Sequence, residues 1–139
     1  MKRITTSNAF IKAFVLSFLV ICSITSAQSQ TFICQSFDYY GNDRSEKDIQ
    51  KDKLLALGST AVLTFYDNDL KIKLIDNKGK TVEVLFRKEG NEYRYSGESN
   101  GKKGLVIIKL EKWVMYIKSF IMESYVNGKL TLKVTFKRK

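Results

Sequence analysis

Between Ala61 and Phe86, apolar and polar residues alternate in three short runs, cut by Asp67-Asn68-Asp69 and by Asp76-Asn77-Lys78-Gly79-Lys80. Period-two alternation sends successive side chains to opposite faces of an extended chain. Asp, Asn and Gly clusters supply the turns, so this stretch dictates an antiparallel β-meander. Leu63, Phe65, Leu70, Ile72 and Leu74 share one face, and Thr64, Lys71 and Lys73 the other. Val82, Val84 and Phe86 continue the apolar face, which fits a sheet packed on one side and wet on the other.

The same grammar runs on to the C-terminus. Thr31–Tyr40 is aromatic and β-branched enough for a first strand after a loose leader at 28–31, and Gly41 ends it. The polar segment 41–53 leads into a short helix near 45–57, with Ser45 as cap, Asp48 at the third helical position and Gly58 as terminator; an extended loop is the alternative. Tyr93 and Tyr95 mark a fourth strand, and Ser96–Lys103 reads as a polar loop holding Gly97 and Gly101, with Gly104 at its end. Leu105–Leu110 is apolar on both faces, which implies a covering outside, with the 45–57 segment as candidate.

Trp113–Val126 carries a helix-like stripe (Trp113, Val114, Ile117, Phe120, Ile121, Tyr125), but its aromatic and β-branched content favours strand, as two strands or one long bent strand. Asn127-Gly128 is a type I′ hairpin signal, and 129–137 alternates throughout, with Leu130, Leu132, Val134 and Phe136 on one side. The expected fold is all-β: an antiparallel meander of about eight strands forming a small barrel or sandwich. A closed barrel would pair the last strand with Phe32–Phe37 and remove the free edges. The chain has no proline, so no strand lacks a donor.

The first 27 residues read as a signal peptide rather than as part of the fold. Lys2, Arg3 and Lys12 precede or open the apolar run Ala13–Cys22, and Thr25-Ser26-Ala27 or Ala27-Gln28-Ser29 offers a cleavage site. The run is too short to span a bilayer, so export to the periplasm or the extracellular space is expected, with 28–139 as one domain. Leu19-Val20-Ile21-Cys22 partly resembles a lipoprotein box, with bulky Ile21 where a small residue belongs. Cleavage would leave Cys34 as the one cysteine, a small buried hydrophobe without a disulfide partner in its own chain.

No histidine occurs in the chain, which excludes Ser-His-Asp and Cys-His catalysis and histidine-bearing zinc sites. Neither the G-x-G-x-x-G nor the phosphate-loop spacing is present. Asp67-Asn68-Asp69 starts like a calcium loop, but Ile72 and Lys78 stand where glycine and glutamate belong, so it reads as a turn. Glu83 and Glu123 are carboxylates that would face one another only across strands. A regular final hairpin would set Glu123 opposite Leu132 on the inner face, and a bulge would turn it outward. A non-enzymatic protein without a cofactor is therefore expected.

Two kinds of binding surface remain. Lys71, Lys73, Lys129, Lys133 and Lys137 lie on outward positions, where they protect strand edges or meet an anionic lipid or glycan surface. The inward residues Phe65, Phe86, Tyr93, Tyr95 and Phe136 either fill the barrel or line a cavity for an apolar small molecule. Tyr93-Arg94-Tyr95 interleaves aromatic and basic residues as stacking platforms do, but export removes nucleic acid as an expected partner. The alternative function is a protein-interaction or inhibitor module, acting on another exported protein through loops 41–57 and 96–104.

With its Lys-Arg start, the Ala27-Gln28-Ser29 boundary and the meander that follows, the chain resembles small signal-bearing, uncharacterised β proteins exported by Gram-negative bacteria. That resemblance implies export and a β fold, and no site residues. Tyr95-Ser96-Gly97 is also similar to the Ser-Gly element of small periplasmic lysozyme inhibitors, whose disulfide is missing here and whose basic target a basic chain would repel.

Overall fold

In a computed structural model describing residues 29–139, the alternating runs become strands of one closed antiparallel barrel. The expected signal peptide and Cys22 lie outside the described residues. The order is β1 (Ser29–Tyr39), α1 (Glu46–Ala56), β2 (Thr60–Phe65), β3 (Asp69–Ile75), β4 (Thr81–Glu89), β5 (Glu92–Ser99), β6 (Lys102–Lys112), β7 (Ile117–Val126) and β8 (Lys129–Arg138). Each strand pairs with its neighbour in sequence, and β8 returns to β1 with Phe37 opposite Val134. This is the barrel of the two expected architectures. Among the described residues, no helix is long and apolar enough to cross a membrane.

The core lies where the alternation placed it. Leu63, Leu70, Ile72, Phe86, Val134 and Phe136 are buried together with Phe32, Ile108 and Phe120. Phe120 stacks on Phe136 with centroids 4.6 Å apart, and Phe32 meets Phe120 edge-on at 5.2 Å. Each such ring or branched side chain, fully removed from water, contributes about 1.5–3 kcal/mol.

Several elements depart from the sequence reading. Ser29–Thr31 is strand rather than leader: Ser29 pairs with Thr64, their hydroxyls 3.0 Å apart. In β1 the inward residues change phase, from Phe32 and Cys34 to Phe37, because the register with β8 skips Gln35 in a bulge. A second bulge skips Thr131, whose hydroxyl donates to the Ser124 carbonyl at 3.1 Å. Tyr125 therefore faces Leu130 while Ser124 faces Leu132, and the unbroken alternation expected of 129–137 holds only from Leu132 onward. Trp113–Val126 resolves into a short connection and the single strand β7.

Ser45 caps α1 as expected, its Oγ accepting from the Asp48 N–H at 3.2 Å. Past the Leu57 cap, Gly58 takes φ +80° and donates to the Cys34 carbonyl at 3.0 Å. Asn77, in the β3–β4 turn, uses its Nδ2 to bind the Leu54 and Leu57 carbonyls at 2.9 and 2.6 Å, which ties the end of α1 to the barrel. The helix thus packs beside β1 and not over β6. The β3–β4, β5–β6 and β7–β8 turns share its end of the barrel. The other end holds the β2–β3, β4–β5 and β6–β7 connections with the start of β1 and the end of β8.

Candidate functional site

The ladder around the barrel has one short rung. β3 and β4 pair from Asp69↔Arg87 to Ile75↔Thr81, and β5 and β6 pair from Glu92 to Ser99. Between them, β4 and β5 pair only at Arg87↔Arg94, Lys88↔Tyr93 and Glu89↔Glu92. Beyond Arg94 the two strands part, and Val82 and Tyr95, both on the inner face, are left half exposed.

Past this seam, β5, β6 and β7 run on towards the α1 end as a ribbon that is free along β5 and stays paired with β8 along β7. Its tip is fixed by two Asn-Gly turns: Asn100 and Gly101 at φ 53° and 76°, and Asn127 and Gly128 at 49° and 81°. Asn127 also clamps the neighbouring turn, its N–H donating to the Lys103 carbonyl at 2.8 Å and its Oδ1 accepting from the Lys103 N–H at 3.0 Å. The segment 96–104 is therefore strand, turn and strand rather than the loop expected from its polarity.

The ribbon's inner face is built in rows. Tyr95, Val106 and Ser124 form one row, and Gly97, Gly104 and Val126 the next. Two glycines opposite one another leave the surface bare, and a cleft of about 620 Å³ lies over it. The cleft is walled by Tyr95, Val106 and Val126 and rimmed by Glu98, Asn100 and Lys102. Tyr95 packs edge-on against buried Phe86, centroids 6.2 Å apart, and so separates the cleft from the core. Pockets for small ligands span about 300–1,000 Å³ and combine apolar walls with a few polar groups, and this cleft falls within that range.

The ribbon's outer face explains a buried carboxylate. Glu123 is only 8% exposed and, because of the Thr131 bulge, sits opposite Lys133 rather than Leu132. The outward alternative for this residue is the one observed. Its Oε1 accepts from Lys109 Nζ at 2.8 Å and from the Tyr125 hydroxyl at 3.2 Å. The hydrogen bond from Lys109 holds the Glu123 carboxyl below the usual range against the opposing effect of burial, and Lys109 is raised in return. Glu92 joins Arg94 at 2.9 Å, and these long side chains cover Ile107 on the outside of β6. The covering that an apolar β6 required is supplied by its neighbours' polar side chains and not by α1.

The candidate site residues from the sequence divide. Phe86, Tyr93 and Phe136 are buried in the core, and Phe65 meets Tyr93 edge-on at 5.9 Å, so these rings fill the interior. Burial raises the Tyr93 hydroxyl pKa. Of the five expected cavity residues, Tyr95 alone walls the cleft. The lysines do not form one face. Lys71 and Lys73 lie on β3, separated from β8 by β1 and β2, and Lys73 pairs with Glu83. Lys133 sits between Asp38 and Glu123, and the Thr131 bulge puts Lys129 on the opposite side of β8 from Lys133 and Lys137. Glu83 and Glu123 are separated by β5 and β6.

The Asp turns are turns. Asp76 Oδ1 accepts from the Lys78 and Lys80 N–H groups at 2.9 Å each, and Asp69 lies 3.8 Å from Arg87. Among the described residues, no three His, Cys, Asp or Glu side chains gather as a metal site. Cys34 is buried, donates weakly to the Ser36 carbonyl at 3.6 Å, and has its thiol pushed up by burial to about 11.

No protein-family model and no curated protein matches the sequence. The fold and the cleft therefore carry the functional argument. Sequence reasoning missed Gly97 and Gly104 as a facing pair. The available signal was Asn100-Gly101, the same dipeptide that marks the β7–β8 hairpin. Centring a hairpin on it sets Gly97 opposite Gly104.

Proposed function

We propose that this chain is an exported, non-enzymatic binding protein that holds one elongated apolar small molecule against the inner face of the β5–β7 ribbon, in a lipocalin-like manner. The observation that carries this reading is the glycine-floored cleft at the β4–β5 seam. The apolar body of the ligand lies along Tyr95, Val106 and Val126, with its polar end at the Lys102 rim. A fatty-acid-like molecule has that chemistry. The lack of histidine anywhere in the chain supports a binding role over a hydrolytic one.

Titrating the purified protein with an environment-sensitive fatty-acid probe tests the proposal. Saturable one-to-one binding displaced by an unlabelled fatty acid is expected, and non-saturating or absent binding would rule it out. A second reading has one observation in its favour: the outer edge of β5 from Tyr95 to Ser99 has no ladder partner, and an extended peptide adds to such an edge. In that case a peptide and not a fatty acid would compete.

A further inference from the structure

Every other hairpin connection among the described residues carries Asn, Asp or Gly; the one between β6 and β7 reads Trp113-Val114-Met115-Tyr116. It is closed by the Trp113 N–H donating to the Tyr116 carbonyl at 2.8 Å and the Tyr116 N–H returning to Trp113 at 3.4 Å. Val114 and Met115 are left at the tip, 102% and 91% exposed, with Trp113 and Tyr116 57% and 40% exposed below them. Burial rewards neither tip residue in the folded chain, and a tight turn does not call for their side chains.

We propose that this finger docks the barrel on an anionic lipid bilayer, with Val114 and Met115 entering the boundary between headgroups and acyl chains. Trp113 and Tyr116 then lie at headgroup depth, where amphipathic rings are favoured. The surroundings match that medium. Lys118 Nζ stands 5.2 Å from the Trp113 ring and the Arg138 guanidinium 5.1 Å from the Tyr116 ring. Lys112 flanks the finger, and Lys137 and Lys139 sit with Arg138 at the end of the adjoining strand. Glu111, paired with Lys118 at 3.6 Å, is the one carboxylate on the adjoining ends of β6, β7 and β8, so the finger's own flank is positive; Asp67, Asp69, Glu89 and Glu92 lie on the other two connections of this end, the last three beside arginines.

A convex apolar tip with a basic flank fits a deformable anionic surface. A second copy would bring two positive flanks together. The start of β1 lies at this same end: Gln30 borders the hollow beneath the finger and accepts from Arg138 at 3.0 Å. The cleft opens at the opposite end, so this docking does not depend on the cleft being occupied.

Trp113 is the chain's single tryptophan and reports on its own insertion. The purified protein is mixed with vesicles of phosphatidylcholine, with and without phosphatidylglycerol, and followed by emission and by co-sedimentation. A blue shift and co-sedimentation on the anionic vesicles are expected, weakened by salt because the flank's attraction is screened. The V114D/M115D variant, altered only at solvent-exposed positions, should keep its thermal unfolding and bind at least about tenfold more weakly. Quenching of wild-type Trp113 by brominated acyl chains gives the same readout without a variant. Equal binding by a folded variant, no quenching, or no anionic preference would overturn the proposal. So would a blue shift that needs no vesicles and follows a dimer mass, because the finger would then pack against a second copy.

Discussion

Replacing both glycines of the ribbon with valine separates the fold from the function. A Cβ built on Gly97 meets nothing within 4 Å, and one on Gly104 meets only the Gly97 carbonyl oxygen at 3.8 Å. Neither residue has a positive φ, unlike Gly58, Gly79, Gly90, Gly101 and Gly128. The backbone thus has no need of glycine at either place. Glycine within a strand costs about 0.5–1 kcal/mol each through its entropy in the unfolded chain, and valine prefers extended structure. The G97V/G104V variant should gain about 1–2 kcal/mol, or roughly 4–8 °C in Tm for a domain of this size. The two isopropyl groups would occupy the floor of the cleft and weaken binding of the fatty-acid probe at least tenfold, which is about 1.4 kcal/mol or more. Thermal unfolding by circular dichroism and a probe titration on the same sample read both effects. A stabilised variant with unchanged probe affinity would refute the cleft as the binding site, and a destabilised one would refute the claim that the backbone tolerates side chains there.

Two further outcomes follow from buried groups. Cys34, with its thiol pushed to about 11 and its side chain in the core, should resist Ellman's reagent in the native protein at pH 8 and react fully in guanidinium; rapid native labelling would contradict its burial. Glu123 has a lowered pKa in the fold, so its contribution is present above the ordinary carboxylate value and is lost as pH falls through the lowered one. The E123Q variant should be less stable than wild type by about 0.5–1 kcal/mol at pH 7, a figure kept small because Lys109 is nearly half exposed, and the gap should close in acid, once the pH has fallen through the lowered value. Denaturant unfolding at the two pH values would show a constant gap if the ion pair were irrelevant.

The meander was legible because a barrel with a filled interior imposes alternation on every strand that faces it. Leu63, Phe65, Leu70, Ile72 and Phe86 obey it, and their inward positions follow from the sequence. The bulges at Gln35 and Thr131 were not legible: they arise from fitting two strands to one register, and no residue type marks them. Residues 96–104 show a different failure. A strand that lines an open cleft has no core to face, so it keeps glycine, serine and charge where a filled barrel would have valine, and it reads as a loop. The cleft thus removed the pattern by which its own strands would have been recognised. The finger is illegible for the opposite reason: the aromatic and β-branched side chains of Trp113 and Val114 speak for strand, whereas the turn places them in water.

The closing ladder between β1 and β8 also bears on how the chain reaches this shape. Every other pairing joins neighbours in sequence, through a short turn or, for β1 and β2, through α1, but Phe32–Tyr39 must find Leu132–Arg138 across nearly the whole domain. Loop-closure entropy makes that the costliest contact to establish, so a growing meander presents β1 and β8 as bare edges until the last step. Lys133 and Lys137 lie on β8, one of those two edges. In the finished barrel they are ordinary outer residues. During folding they charge the strand most open to pairing with another molecule, and they drive such encounters apart until β1 arrives.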